Sequence, residues 1–264
     1  MTCCRQTTSN KKIGLKPTAK SAQKRLRSFA SPQQAAILAR FFKTGPGQYG
    51  EGDKFIGVKV PITRKVAREF DGLSLAEVEC LLHSDIHEER LLALVILVGQ
   101  FEKGDDAIQK QIYDLYLTNT AYINNWDLVD LSAPQIVGGY LHNRSRRPLD
   151  RLAKSANLWE RRISILATFN FIREGDFNDT LKIAKMLLKD KEDLIHKAVG
   201  WMLREVEKRE VTVLEAFLDE YCRVMPRTML RYAIERFPEQ KRRAYLNGIV
   251  RTAKRPRGQR SEAP

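Results

Sequence analysis

Along most of the chain apolar residues recur three and four positions apart, the spacing that lines one face of an α-helix, as in Leu158, Ile163, Leu166 and Ala167. No segment alternates apolar and polar residues over six positions, so half-buried strands are not expected. Helix starts are marked by polar punctuation. Ser31-Pro32 sets an N-cap before a proline at the first helical position and opens a helix to about residue 43, and Pro61 can open another. Ser74-Leu-Ala-Glu77 has the form of a capping box, and Ser84-Asp85 precedes a helix over residues 88–100. Further helical patterns cover residues 105–118, 125–141, 146–156, 158–172, 177–189, 191–207, 210–223, 226–237 and 238–251. The pattern predicts an all-α chain.

The helices repeat. Aligning the second helix of each pair gives the anchors Arg90, Trp126, Arg162, Lys197 and Arg231, spaced 36, 36, 35 and 34 residues apart. Helix pairs at a steady period predict a HEAT-like α-solenoid of antiparallel pairs, each burying its apolar face against its neighbours. An irregular bundle of evenly sized helices is the alternative. In the solenoid the second helices line one concave, basic wall, and the anchors point polar groups into a groove suited to a rod-shaped partner.

Composition sharpens that partner. The 264 residues hold 46 Lys and Arg against 32 Asp and Glu, a net charge of +14, which favours a polyanion. Residues 1–27 carry eight bases and no acid, and residues 251–264 carry five bases and one acid, so the ends supply nearly all the excess. Binding by residues 28–250, read as a single domain, must therefore rest on a local patch. The two ends read as disordered basic tails, and an organellar transit peptide is the other reading of residues 1–27. The longest apolar run, Leu91–Val98, is far too short to span a bilayer. Cys3, Cys4, Cys80 and Cys222 are too few for a secreted disulfide framework. A cytoplasmic, nucleoid-associated monomer is expected.

Candidate chemistry gathers on the second helices. Asn125-Trp-Asp-Leu-Val-Asp130 puts Trp126 and Asp130 on one helix face, one turn apart, with Asp127 as a capping acid in the first turn. Leu158-Trp-Glu-Arg-Arg162 and Gly200-Trp-Met-Leu-Arg204 fall in the next two units. Together they offer an acid, arginines for phosphate and aromatic faces for a cationic group. His83 and His87 lie four apart, but Ser84-Asp85 separates them and no third ligand stands at zinc spacing, so no metal and no cofactor are expected. The glycine-rich loop 44–53 lacks the G-K-[ST] of a phosphate-binding loop and reads as a connector.

Phe41-Phe-Lys-Thr-Gly-Pro-Gly-Gln-Tyr-Gly-Glu-Gly-Asp-Lys-Phe-Ile-Gly-Val58, the Trp126–Asp130 segment, Leu-Trp-Glu-Arg-Arg162 and Lys197-Ala-Val-Gly-Trp-Met-Leu-Arg-Glu205 resemble the AlkD family of DNA alkylation repair glycosylases, in order, over about residues 30–245. The resemblance implies a solenoid that cradles duplex DNA containing alkylated purines. It further implies hydrolysis of the N-glycosidic bond of cationic N3- and N7-alkylpurines, without drawing the base into a pocket. Asp130 matches the catalytic carboxylate, Trp126 and Trp201 the aromatics flanking the deoxyribose, and Arg162 an arginine that engages the backbone. Phe41 stands where the family has a tyrosine, so that hydroxyl is missing. Arg147, Arg161, Lys197 and Arg204 are the further phosphate contacts expected. Two alternatives are a non-catalytic module binding structured or damaged nucleic acid, and a protein–protein scaffold.

Overall fold

The computed structural model describes residues 17–248. Among these, regular structure is helical throughout, apart from one isolated bridge between Lys54 and Ile86. Helices α1 (Ala19–Arg27) and α2 (Pro32–Phe41) precede the glycine-rich loop, and α3 (Val60–Glu69), α4 (Leu75–Leu82), α5 (His87–Lys103) and α6 (Asp106–Thr118) follow it. Next, α7 (Trp126–Ala133) runs through a π-helical turn at Pro134–Gly138 into α8 (Gly139–Leu141). The rest comprises α9 (Arg147–Ala153), α10 (Leu158–Ala167), its extension α11 (Phe169–Arg173), and α12 (Asn178–Met186). Then come α13 (Asp193–Glu207), α14 (Val211–Tyr221), α15 (Arg227–Ala233) and α16 (Glu239–Leu246).

The starts follow local chemistry. Ser31 accepts from the Gln34 amide, Asp105 from Ile108, and Asn157 from Trp159, each satisfying an amide that has no partner inside the helix. Asn125 caps α7 directly, its side-chain oxygen 2.8 Å from the Trp126 amide. Packing then orders the helices. α3, α5, α7, α10, α13 and α15 lie side by side in one row, with α4, α9 and α12 backing α5, α10 and α13. The five anchors each fall within the first five residues of α5, α7, α10, α13 and α15, so the repeat read from sequence is the repeat of the fold. This is a helical solenoid. Close packing between units needs glycine at position 200, where a Cβ would stand 2.5 Å from the Met229 carbonyl oxygen.

Two expectations change. Residues 19–27, assigned to a disordered tail, form α1, and Ala19, Ala22 and Leu26 are buried in the core. Thr18 caps this helix, and burying Leu26 contributes roughly 2 kcal/mol. Glu77 does not close a capping box on Ser74; its carboxylate accepts from the Ala19 amide at 2.6 Å and ties α1 to α4. Residues 1–16 and 249–264, which hold most of both tails, lie outside the described residues. Among the described residues no helix is long and apolar enough to cross a membrane.

Candidate functional site

Asp130 sits one turn into α7, at the seam with α10. There Arg162 meets it with two parallel hydrogen bonds, Nε to Oδ1 at 2.8 Å and Nη2 to Oδ2 at 2.7 Å. The remaining guanidinium nitrogen, Nη1, donates to the Leu194 carbonyl on α13 at 2.5 Å. One arginine thus joins three successive second helices and fixes the plane of the carboxylate, a bidentate geometry that lysine could not supply. Arg162 is 5% exposed, whereas the Asp130 side chain keeps 17% of its surface open. Burial pushes the Asp130 carboxyl above the ordinary carboxylate value, with the Arg162 charge and hydrogen bonds opposing it and the Asp127 charge reinforcing it.

Arg162, read as a contact to the nucleic-acid backbone, is buried and has all three guanidinium nitrogens on protein acceptors. Its place is behind the carboxylate.

Trp126 begins α7 one turn before Asp130. Its indole is stacked on Phe42, with centroids 5.3 Å apart and planes at 22°, and Phe41 meets it edge-on at 6.0 Å. Phe41 is 60% exposed, an open aromatic face beside the site. Trp201 belongs to a separate cluster on α13. It lies against Phe169 at 6.2 Å, and its indole N–H donates to Glu205 at 3.0 Å. Lys208 binds the same Glu205 oxygen at 2.5 Å.

The expected phosphate contacts divide. Arg147 is exposed and makes no ion pair among the described residues. Lys197 pairs with Asp193 at 2.8 Å and stays partly open, and Arg204 pairs with Glu235. Arg161 is committed to the fold: it binds Asp190 at 2.6 Å and the carbonyls of Ser155 and Ala156. Arg90, the first anchor, is buried, with its guanidinium committed to Asp53, Asn124 and the Ser84 carbonyl.

Sequence reading overlooked the most connected polar group in the molecule. His87, Glu88, Glu89 and Arg90 open α5 and are all buried. His87 directs Nδ1 at Asp53 (3.2 Å) and Nε2 at Asp127 (2.9 Å). Glu88 accepts three backbone amides, from Ile56, Gly57 and Val58. Glu89 binds Arg27, Gln23 and Ser84. Arg90 donates to Asp53 at 2.5 Å and to Asn124 and the Ser84 carbonyl. Glycine at 57 is required by this arrangement, since its φ is +82° and a Cβ would lie 2.1 Å from the Ser31 carbonyl oxygen. His83, by contrast, caps the end of α4, stacks on Tyr122 and bonds Asn119. The two histidines share no site.

Comparison with known proteins agrees with this architecture. The family model for DNA alkylation repair enzymes matches residues 22–237. A structure described as a predicted DNA alkylation repair enzyme from Enterococcus faecalis superposes with a TM-score of 0.63 at 17% identity, covering 80% of this chain and 97% of that one. The structure of smu.31 from Streptococcus mutans UA159 aligns with a TM-score of 0.48 at 14% identity, over 81% of this chain and 95% of that one. A search of the curated proteins finds no match. With the family model spanning most of the chain, from α1 to α15, the chain belongs to the family of DNA alkylation repair enzymes.

Proposed function

We propose that the protein is a monofunctional DNA glycosylase, acting as a monomer on duplex DNA that carries cationic N3- or N7-alkylpurines. The observation that carries this reading is the Asp130 carboxylate, fixed in plane by a buried arginine and left partly open one turn from Trp126. A scaffold has no need for an oriented, accessible acid in that setting.

The chemistry follows from charge. An alkylated purine already carries the positive charge that makes it a leaving group, so no general acid is needed on the base. As the C1′–N9 bond breaks, its electron pair goes to the purine, which leaves neutral, and the sugar takes on oxocarbenium character. A carboxylate about 4 Å from that charge contributes roughly 4 kcal/mol at an effective dielectric of 20, or about three orders of magnitude in rate. The Arg162 charge behind the carboxylate subtracts from this figure, and its bidentate grip removes the cost of orienting the acid during reaction. A water oxygen then bonds C1′, and Asp130 accepts its proton. The indole of Trp126, one turn from the carboxylate, favours the cationic sugar. Exposed Arg147 and the partly open Lys197 and Arg204 are proposed to hold phosphates, positioning the duplex without reading its sequence.

Release of 7-methylguanine from methylated duplex DNA tests the reading. Wild-type protein is expected to release free base and leave the abasic strand uncut, and Asp130→Asn to bind DNA without releasing base. Wild-type turnover in Asp130→Asn would remove the assignment.

A further inference from the structure

His87 lies outside the reacting atoms yet binds two of the elements that shape the site. Its two ring nitrogens each face a carboxylate oxygen, Asp53 from the glycine-rich loop and Asp127 from the first turn of α7. Ionised carboxylates only accept hydrogen bonds, so both ring nitrogens must donate, which only the imidazolium does. Phe42 and Phe55 close over the ring at 5.0 and 4.6 Å, and Phe42 is the residue stacked on Trp126. The loop is fastened from the same place a second time. Asp53 also accepts from Arg90 and from Asn125, the residue that caps α7.

We infer that His87 is a positioning residue: locked as a cation between Asp53 and Asp127, it clamps the glycine-rich loop to the start of α7 and so holds Phe42 against Trp126, one turn from Asp130. The inference rests on the glycosylase reading only for its kinetic consequence; the clamp itself stands on geometry.

The charged groups around the ring are Asp53 on the loop, Asp127 on α7, and Arg90 and Glu88 on its own helix. Arg90 faces Asp53, and Glu88 holds the amides of residues 56–58. Burial alone would lower the His87 pKa, but the hydrogen bonds to Asp127 and Asp53, and their charges, outweigh it and raise it to about 9. The clamp is therefore closed at neutral pH and opens in alkali.

Two measurements on the full chain separate this role from simple stabilisation. In the first, no activity is required. The His87 ring is titrated by NMR in DNA-free protein, alongside the resonance of 5-fluorotryptophan at position 126, assigned with Trp126→Phe. Both are expected to move with a common midpoint near pH 9, and Asp127→Asn to shift that midpoint lower. A His87 midpoint below pH 7, or a Trp126 resonance that ignores the titration, overturns the clamp.

The second is the single-turnover rate of 7-methylguanine release, compared between wild type and His87→Gln from pH 6.5 to 9.5. Ionisation of the substrate is common to both proteins and divides out. The variant is expected to lose at least fivefold in the rate constant at neutral pH, with KM changed less than twofold, and the deficit should shrink towards pH 9.5. A deficit independent of pH, or one confined to KM, overturns the positioning role. Should His87→Gln fail to fold, Asp127→Asn carries the same comparison, with its deficit appearing at lower pH than in wild type. Coupled titration with no base release by any protein would keep the clamp and remove the glycosylase reading.

Discussion

Two charge clusters stand in the first turns of second helices, and they differ in closure. At α5, His87 and Asp53 are closed in, with side chains 2% and 4% exposed, and Asp127 is the more open edge of the cluster. At α7, Asp130 has a comparable partner in Arg162 but keeps an opening. Sealed ionic groups hold surrounding elements in one arrangement. An ion pair left ajar beside exposed aromatic surface has capacity for a group from outside. On the proposed function, the first cluster frames the site and the second carries its chemistry.

The largest effects belong to the open pair. Asp130→Asn should cut base release by up to about a thousandfold. It should also lower the melting temperature, because an amide can accept only one of the two Arg162 hydrogen bonds and leaves the buried guanidinium without its counter-charge. The rate is therefore read on protein shown to be folded. Arg162→Ala leaves Asp130 buried without its partner and should cost about 3–5 kcal/mol of stability, read by urea denaturation. If Arg162 serves to hold the carboxylate and not a phosphate, the salt dependence of DNA binding should keep its slope. A shallower slope would return Arg162 to the DNA and blur the distinction between the clusters.

For the sealed cluster the expected signature is pH-dependent stability. The folded His87 pKa, about 9, lies above its ordinary value of 6.5, so its stabilisation is complete below about pH 6.5 and lost as pH rises through 9. The full shift corresponds to about 3 kcal/mol. Wild type should therefore lose stability between pH 6.5 and 9.5, relative to His87→Gln, by that order. Parallel stability curves for the two proteins would show that the cluster contributes no linked proton.

These clusters also mark what sequence reading could reach. The helices and their period were legible because each unit repeats one apolar pattern. Spacing put Asp130 and Trp126 on one helix face, and it was the family resemblance that singled them out as candidates. The α5 cluster was missed because Asp53, His87 and Asp127 come from three separate segments. A signal did exist: His87-Glu-Glu-Arg90 leads straight into the apolar run Leu91–Val98, and a helix apolar on all sides buries its polar first turn as well. The family resemblance pointed Arg162 at the nucleic-acid backbone, and its pairing with an acid 32 residues earlier was beyond what sequence spacing could show. Helix α1 was hidden by its bases, with only Ala19, Ala22 and Leu26 marking a buried face. Leu26→Ala should cost about 2–4 kcal/mol, measured by denaturation, if α1 is part of the fold's core; a neutral result would return it to the tail.

The smallest expected effect lies at the edge of the open cluster. Phe41 is mostly exposed, so its ring adds little to the core, and its edge-on contact with Trp126 is of the kind worth about 0.5–1.5 kcal/mol. Phe41→Ala should therefore slow base release by a few-fold while leaving the melting temperature within a degree or two. Phe41→Tyr keeps the ring and adds the hydroxyl that the family resemblance implies at this position, and should match or exceed wild type. If Phe41→Ala instead lowered the melting temperature and spared the rate, the exposed aromatic edge would belong to the frame. The boundary between the two clusters would then run between Trp126 and Asp130, on a single turn of α7.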